Sequence, residues 1–523
     1  MKADSALTDQ LNEVSHSADS RAATALEADS KRERKLTLVI LLVAGLARLP
    51  FLWHGFGGHP DEWLVIRSGL DLWLNGSYFP SRVPGYPFNE IIMGGLAWLG
   101  GATACAAAAA VASLVMLVYL RGLAPLQGVR DSFWMVLAFS FEPWVWSSST
   151  HALDYIWGIC SLVAALYYVE RRQFGAAGLA CAIGFGFRPS SLLWIGPLFI
   201  RVILVERHWH GILRFALWAA VPALVPASIM ISIVISRPDA WADTHVESVR
   251  TIKHFLVPSS IAAIYHFIEL MGHFPAVLLI IAGCYAGRDR LFGLFRSHEG
   301  WVWTYLLIFV CLFAVFVIES SKTEYMLPAL PGLFIILGRC ISNNWWKAIT
   351  AAFIFNAFVS FGFGHADRTE GIRLELTAPT LRPGALLWYA ERAKESNDRA
   401  ARTGSELSEP ARIVRAEPGL DRLDDFYVSS LLKRGPAGQA RISCPLIPAR
   451  LSFPKGSPPD ISPSKDLAKP FPSYYPMLVC CPSTSALILS DTPSSQTDQL
   501  EPVVQRFCAS ETGVKAATSA ARP

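Results

Sequence analysis

Five places in this strongly apolar chain gather carboxylates, cations and imidazoles that could do chemistry. The first is Gly57-Gly58-His59-Pro60-Asp61-Glu62-Trp63, and the second follows as Ser81-Arg82-Val83-Pro84-Gly85-Tyr86-Pro87-Phe88-Asn89-Glu90. The others are His151-Ala152-Leu153-Asp154-Tyr155, Phe187-Arg188-Pro189-Ser190 and Glu319-Ser320-Ser321-Lys322-Thr323-Glu324-Tyr325, with Arg48 standing just ahead of Pro50. An ionisable group inside or at the edge of a bilayer is costly and tends to serve a function. A carboxylate at the water–lipid boundary can take a proton from a hydroxyl or amine. A neighbouring Arg or Lys can hold a phosphate there.

The elements that must position these residues are membrane helices. Of 523 residues, 52% are hydrophobic and 17% are Asp, Glu, Lys or Arg, with mean hydropathy +0.35. That is more apolar surface than soluble cores of this length bury, which excludes a soluble multidomain enzyme. A formal charge of +4 is too small to suggest nucleic-acid binding. Spans are expected at 36–53, 102–120, 132–148, 152–169, 174–187, 190–205, 212–236, 260–286, 301–318, 325–340 and 345–363, eleven in all. The apolar piece Ile91–Gly101 is too short for the ~20 residues a span needs and is assigned as a juxtamembrane or re-entrant helix. With it left out, the basic loops Arg121–Arg130, Glu170–Arg172, Glu206–Arg214, Arg288–Arg296 and Arg339–Lys347 all lie on the cytoplasmic side. The five polar clusters then share the outer face.

Residues 1–35 form a polar cytoplasmic tail ending in Lys31-Arg32-Glu33-Arg34-Lys35, with no signal-peptide pattern. Residues 36–363 form the transmembrane module, with a long first outer loop at 54–90, and 364–523 form an extracytoplasmic domain of mixed structure. Within that domain Pro383–Arg402 and Leu420–Lys433 look helical, the latter by its spacing of Leu423, Phe426, Tyr427 and Leu431. Pro445–Pro476 reads as extended. Cys105, Cys160, Cys181, Cys284, Cys311 and Cys340 fall in or at the ends of apolar runs and read as packing residues. Cys444, Cys480, Cys481 and Cys508 fall in the outer domain, where disulfides in any of three pairings are open.

The exit Arg48-Leu49-Pro50 from the first span, Asp61-Glu62 in a long outer loop, and the apolar piece after that loop form a recognisable series. So do Asp154 opening the fourth span and Tyr325-Met326-Leu327-Pro328 near a late one. Over about residues 36–340 the chain resembles the GT-C glycosyltransferases that use lipid-phosphate sugars. It is most similar to their protein O-mannosyltransferase and aminoarabinose-transferase branch. The His-Pro before Asp61 and the Arg-Val-Pro-Gly-Tyr-Pro run depart from that pattern. The resemblance implies a GT-C-like, mainly α polytopic bundle in a plasma or inner membrane. It also implies a polyprenyl-phosphate sugar as donor, membrane lipid around it, and a single inverting displacement needing one base. The acceptor, whether protein, lipid or glycan, stays open.

On that reading Asp61 is the general base, Glu62 orients it or binds sugar hydroxyls, and Asp154 and Glu324 are secondary carboxylates. Arg82, Arg188 and Lys322 are candidate phosphate ligands, and His59, Tyr86, Glu90, Glu324 and Tyr325 candidate substrate contacts. Trp63, Tyr86 and Tyr155 could stack on sugar faces. Each has a plainer alternative. Asp61-Glu62 also reads as a helix N-terminal pair after Pro60, and Asp154 as the N-cap of span four. Arg48, Arg188 and Lys322 also read as snorkelling side chains. Glu142-Pro143 reads as a kink, and His245, His254, His266 and His273 as interfacial residues. No cofactor is assigned, though His59 beside Asp61 leaves a divalent metal ion open. A secondary transporter or lipid flippase is the alternative function, and a scaffold without activity a weaker one. Transporters more often carry internal repeats and midplane charges, and no phosphate-binding Gly-rich loop supports ATP-driven transport.

Overall fold

The computed structural model describes residues 31–394 apart from 57, 76–77, 79, 130, 207, 237–255, 319–322 and 368–372, together with five short strands further on. The fold is mainly α-helical. Among the described residues, three helices could cross a membrane by length and composition, Pro87–Leu126, Trp209–Ile235 and Gly300–Ile318, or four if one bent pair counts as a single span. The other expected spans are shorter or interrupted, and the sequence supplies a reason at several of the breaks.

The first helix, α1 (31–48), ends where Pro50 opens a 3-10 turn at Leu49–Phe51. The outer loop expected at 54–90 contains a helix, α2 (Pro60–Asn75), with Pro60 first and Asp61 and Glu62 in the opening turn. Proline there loses no needed N–H, and acids there face the positive end of the helix dipole. The short apolar piece and the second span run together as α3 (Pro87–Leu126), which breaks from helical geometry at Gly100 and Gly101. The short apolar piece is therefore set off from the rest of α3 at that glycine pair.

The third expected span, 132–148, is two helices, α4 (Phe133–Phe141) and α5 (Pro143–Ser148). Pro143 cannot continue α4, and the buried Glu142 carboxylate accepts from the backbone N–H groups of Trp144 and Val145 to start α5. Next come α6 (Tyr155–Glu170), α7 (Phe174–Phe187), α8 (Leu192–Val205) and α9 (Trp209–Ser236). The expected span 260–286 is bent by 84° between α10 (Leu256–Leu270) and α11 (His273–Ala286). The amphipathic α12 (Arg288–Arg296) leads to α13 (Gly300–Ile318). A 3-10 segment, Thr323–Ala329, precedes α14 (Leu330–Cys340), and α15 (Asn343–Phe358) follows.

The last expected span, 345–363, stops at Phe358, and the chain turns into β1 (Val359–Asp367), antiparallel to β2 (Arg373–Pro383). That hairpin returns the chain to its starting point, where the Gly384 N–H donates to Phe358 O at 2.8 Å. A side chain at Gly384 would meet Asn356 O at 2.2 Å, so glycine allows this closure. From there α16 (385–394) continues inside the stretch expected to be helical at Pro383–Arg402, and Pro383 itself belongs to β2. Lys433, expected at a helix end, lies in the strand Lys433–Arg434. The rest of Leu420–Lys433, all of Pro445–Pro476, and Cys444 and Cys508 lie outside the described residues. Cys480 and Cys481 belong to the strand Met477–Cys481, which pairs with Ala486–Ser490.

The main core runs through the facing sides of α3 to α7 and α13 to α15, from Met116 and Leu120 through Phe139, Ile159 and Leu166 to Phe334 and Phe353. A smaller cluster of Val65, Ile66, Leu70 and Met93 holds α2 against the start of α3. There Gly69 and Gly94 face each other: a Cβ on Gly94 would lie 2.4 Å from Gly69 Cα, so the two backbones touch. Cys105, Cys181 and Cys340 are free thiols buried in this packing.

Candidate active site

Asp61, at the first turn of α2, receives a hydrogen bond from Arg82 Nη1 at 2.8 Å. Arg82 reaches the other way with Nη2 to Asp154 Oδ1 at 3.2 Å, and Asp154 Oδ2 takes Arg188 Nη1 at 2.5 Å. Four of the five expected clusters thus each give one residue to an alternating row, Asp61–Arg82–Asp154–Arg188. Asp154 is fully buried, and the row supplies its charge compensation. It stands at the N-cap position of α6, as the plainer alternative has it, but its side chain makes no cap there and goes to the two arginines instead. Arg188, 4% exposed, does not snorkel to solvent. Its Nε donates to Ser190 Oγ at 2.9 Å, and its guanidinium lies over the Tyr155 ring at 4.1 Å and the Tyr325 ring at 5.1 Å. Arg82 lies over the Tyr86 ring at 4.1 Å. Burial pulls both guanidinium pKa values down, but Asp61 and Asp154 beside Arg82, and Asp154 beside Arg188, hold them above the ordinary arginine range. Both stay cationic. Burial likewise raises the Tyr86 phenol above its usual range.

Next to this row lies a second polar group. Glu62, 1% exposed, has Oε1 2.8 Å from His151 Nδ1. The His151 ring packs on Tyr389 at 4.8 Å between centroids, and the Tyr389 hydroxyl donates to Glu324 Oε1 at 2.6 Å. Tyr389 comes from α16, 65 residues beyond Glu324. Its phenol is pushed up by burial and by the Glu324 carboxylate, so it remains a donor. The sequence patterns quoted above contain His151 but give it no role, and they do not contain Tyr389. One aromatic among many, placed by a hairpin closure, leaves no spacing signal.

His59 stands at the edge: its Nδ1 accepts from the Asp61 N–H at 3.1 Å and lies 3.7 Å from Asp61 Oδ2. Among the described residues no group of three or more His, Cys, Asp or Glu is placed to hold a metal ion. Glu90, expected as a substrate contact, is engaged here within its own loop. Its buried carboxylate accepts from the Ser81 N–H at 2.7 Å, from Ser81 Oγ and from Tyr78, and so pins the loop that carries Arg82. Burial first, then Glu90, raises the Tyr78 phenol. Lys322 and the Trp63 side chain lie outside the described residues.

Arg48 belongs to neither group and does not snorkel. At 1% exposure it donates to Ser149 Oγ at 2.7 Å, Ala44 O at 2.9 Å and Ser140 O at 3.1 Å, tying α1 to α4 and to the end of α5. His266 and His273 surround Glu269, with His266 Nδ1 2.8 Å from Glu269 Oε2. His245 and His254 lie outside the described residues.

No family model matches the sequence, and no curated protein matches it. Two solved structures are similar. ArnT from Cupriavidus metallidurans in the apo state is 12% identical, with 74% of this chain and 83% of that chain covered at a TM-score of 0.44. ArnT from the same organism bound to undecaprenyl phosphate is 14% identical, with 75% and 84% covered at a TM-score of 0.49.

Proposed function

We propose that the chain is an integral-membrane glycosyltransferase that moves a hexose or pentose from a polyprenyl-phosphate donor to an acceptor at the outer face of a plasma or inner membrane. In this reading the tail before α1 is cytoplasmic and the residues after α15 are extracytoplasmic. The observation that carries it is the row Asp61–Arg82–Asp154–Arg188, which sets a carboxylate fit to accept a proton beside one partly buried and one buried cation fit to hold a phosphate.

The reaction is one inverting displacement. An acceptor oxygen or nitrogen bonds to the anomeric carbon while the bond from that carbon to the phosphate oxygen breaks. The acceptor's proton passes to Asp61, and the electron pair leaves with the phosphate. Donor phosphate oxygens would take over N–H groups that Arg82 and Arg188 now give to Asp61 and Asp154. Donor binding thereby frees the Asp61 carboxylate to act as base, and preorganised cations stabilise the charge that develops on the leaving group. Lys322 is a third candidate cation. Tyr86, Tyr325 and His59 line the row and are candidate sugar contacts.

The test is transfer of labelled sugar from a panel of polyprenyl-phosphate sugars to endogenous acceptors in membranes. Wild type and Asp61→Asn are compared at matched expression. Donor-dependent transfer that drops at least ~100-fold in the variant is expected, the scale of a lost general base. Equal transfer in both proteins removes Asp61 from the role. Absence of transfer from every donor favours the transporter or flippase reading.

A further inference from the structure

The row of carboxylates and guanidiniums leaves the second polar group, Glu62, His151, Glu324 and Tyr389, without a part in holding phosphate. These side chains come from four stretches of chain: α2, the turn before α6, the 3-10 segment before α14, and α16. The contacts that join them involve two carboxylates, one imidazole and one phenol. Tyr389 is the common member. Its hydroxyl fixes Glu324, and its ring packs on His151, which pairs with Glu62. Trp144 packs edge-on against the same ring with centroids 6.2 Å apart. A Cβ on Gly58 would sit 3.1 Å from both the Tyr389 ring and its carbonyl oxygen, so the start of the first outer loop closes directly on α16.

We propose that Tyr389 is a positioning residue that builds the acceptor-facing wall of the site, so that the helix after the outer hairpin decides what attacks the donor. The inference rests on the glycosyltransferase reading above. Charge assigns the two sides. A phosphate is drawn to Arg82 and Arg188, whereas the Glu62 and Glu324 carboxylates of this wall repel an anion. Such a wall suits a neutral hydroxyl or a protonated amine with a proton to lose. With the phenol in place the buried Glu324 carboxylate has a fixed orientation. Without the phenol, Glu324 and His151 lose a shared partner and water competes as acceptor. Water attack is the same displacement: an oxygen–carbon bond forms at the anomeric carbon, the carbon–phosphate-oxygen bond breaks, and the proton goes to the base.

The experiment uses the full chain in membranes, with whichever polyprenyl-phosphate sugar supports transfer. It reads the share of turned-over label released as free sugar, a ratio that does not depend on how much protein is folded. Binding of undecaprenyl phosphate to the purified full chain in nanodiscs is read in parallel. Tyr389→Phe, which keeps the ring on His151, is expected to raise the released share at least threefold, and Tyr389→Ala further. Both variants should bind undecaprenyl phosphate within twofold of wild type, while Arg188→Gln loses that binding. An unchanged released share in both Tyr389 variants overturns the proposal. So does a loss of lipid-phosphate binding in Tyr389→Phe as large as in Arg188→Gln, which would put Tyr389 on the donor side. Wild type that neither binds the lipid phosphate nor transfers sugar overturns the glycosyltransferase reading first, and this inference with it.

Discussion

Asp154 shows how far a single residue can be understood from its surroundings. It is fully buried between two guanidiniums, and removing it would leave Arg82 and Arg188 next to each other without the charge they share. Asp154→Ala is therefore expected to destabilise the protein by about 3–5 kcal/mol, the scale for breaking a buried ion pair, and a lowered thermal midpoint checks it. The tyrosines give a pH dependence. Tyr78 and Tyr389 are held above the ordinary phenol range by burial and by Glu90 and Glu324, and Tyr86 chiefly by burial. Below about pH 10 folded and unfolded states both carry these protons, so the groups contribute no slope. Above that, the unfolded chain ionises while the folded one retains its protons, and stability falls as pH rises. A thermal midpoint constant from pH 8 to 9 and dropping from 10 upward is the expected profile. At this scale the sequence was informative where charges interrupt apolar runs, as at Asp61, Arg82, Asp154 and Arg188. It was silent on which partner each would take: Glu90 binds its own loop, and Arg48 satisfies serines and backbone carbonyls inside the bundle.

Among the elements, α2 and α3 depend most visibly on a pair of residues. A methyl group on Gly94 would fall 2.3 Å from the Gly69 carbonyl carbon, backbone that cannot swing aside. Gly94→Ala is expected to cost at least ~1–3 kcal/mol from overpacking and to lower activity, because α2 carries Asp61 into the site. Gly196→Ala in α8, where a Cβ meets nothing within 4 Å, should change neither thermal midpoint nor activity. Hydropathy alone located most helices, and proline and glycine marked several of their breaks, as at Glu142-Pro143 and Gly100-Gly101. It could not show that the last expected span yields to a hairpin at Val359, since the apolar run continues through Phe363. Nor does an apolar stretch of adequate length announce the 84° bend between α10 and α11. Asn356 Nδ2 donates to Gly272 O there, and Gly272 takes a left-handed conformation with φ 87° that few other residues adopt.

At the scale of the whole molecule, four distant stretches of chain meet in the ion-pair row, and α16, which follows the β1–β2 hairpin, packs Tyr389 against His151 and Glu324 beside it. The first feature was legible as charged residues standing between apolar runs. The second was not, because it depends on hairpin pairing between β1 and β2. The charge balance of the row has a kinetic consequence. Two carboxylates and two guanidiniums sum to zero before anything binds. In the proposed reaction the donor arrives as a phosphodiester with one negative charge. What remains after transfer is a phosphomonoester, with a charge of about −1.5 to −2 at neutral pH because its second pKa is about 6. In that reaction the same two cations would grip the spent lipid more tightly than the loaded one, and release of lipid phosphate would limit turnover. Undecaprenyl phosphate is expected to inhibit competitively with the donor, with an inhibition constant below the donor's KM at pH 7.5 that weakens as pH drops below 6. A pH-independent inhibition constant would contradict that ordering, and with it the idea that the enzyme spends most of its cycle waiting for an empty carrier to leave.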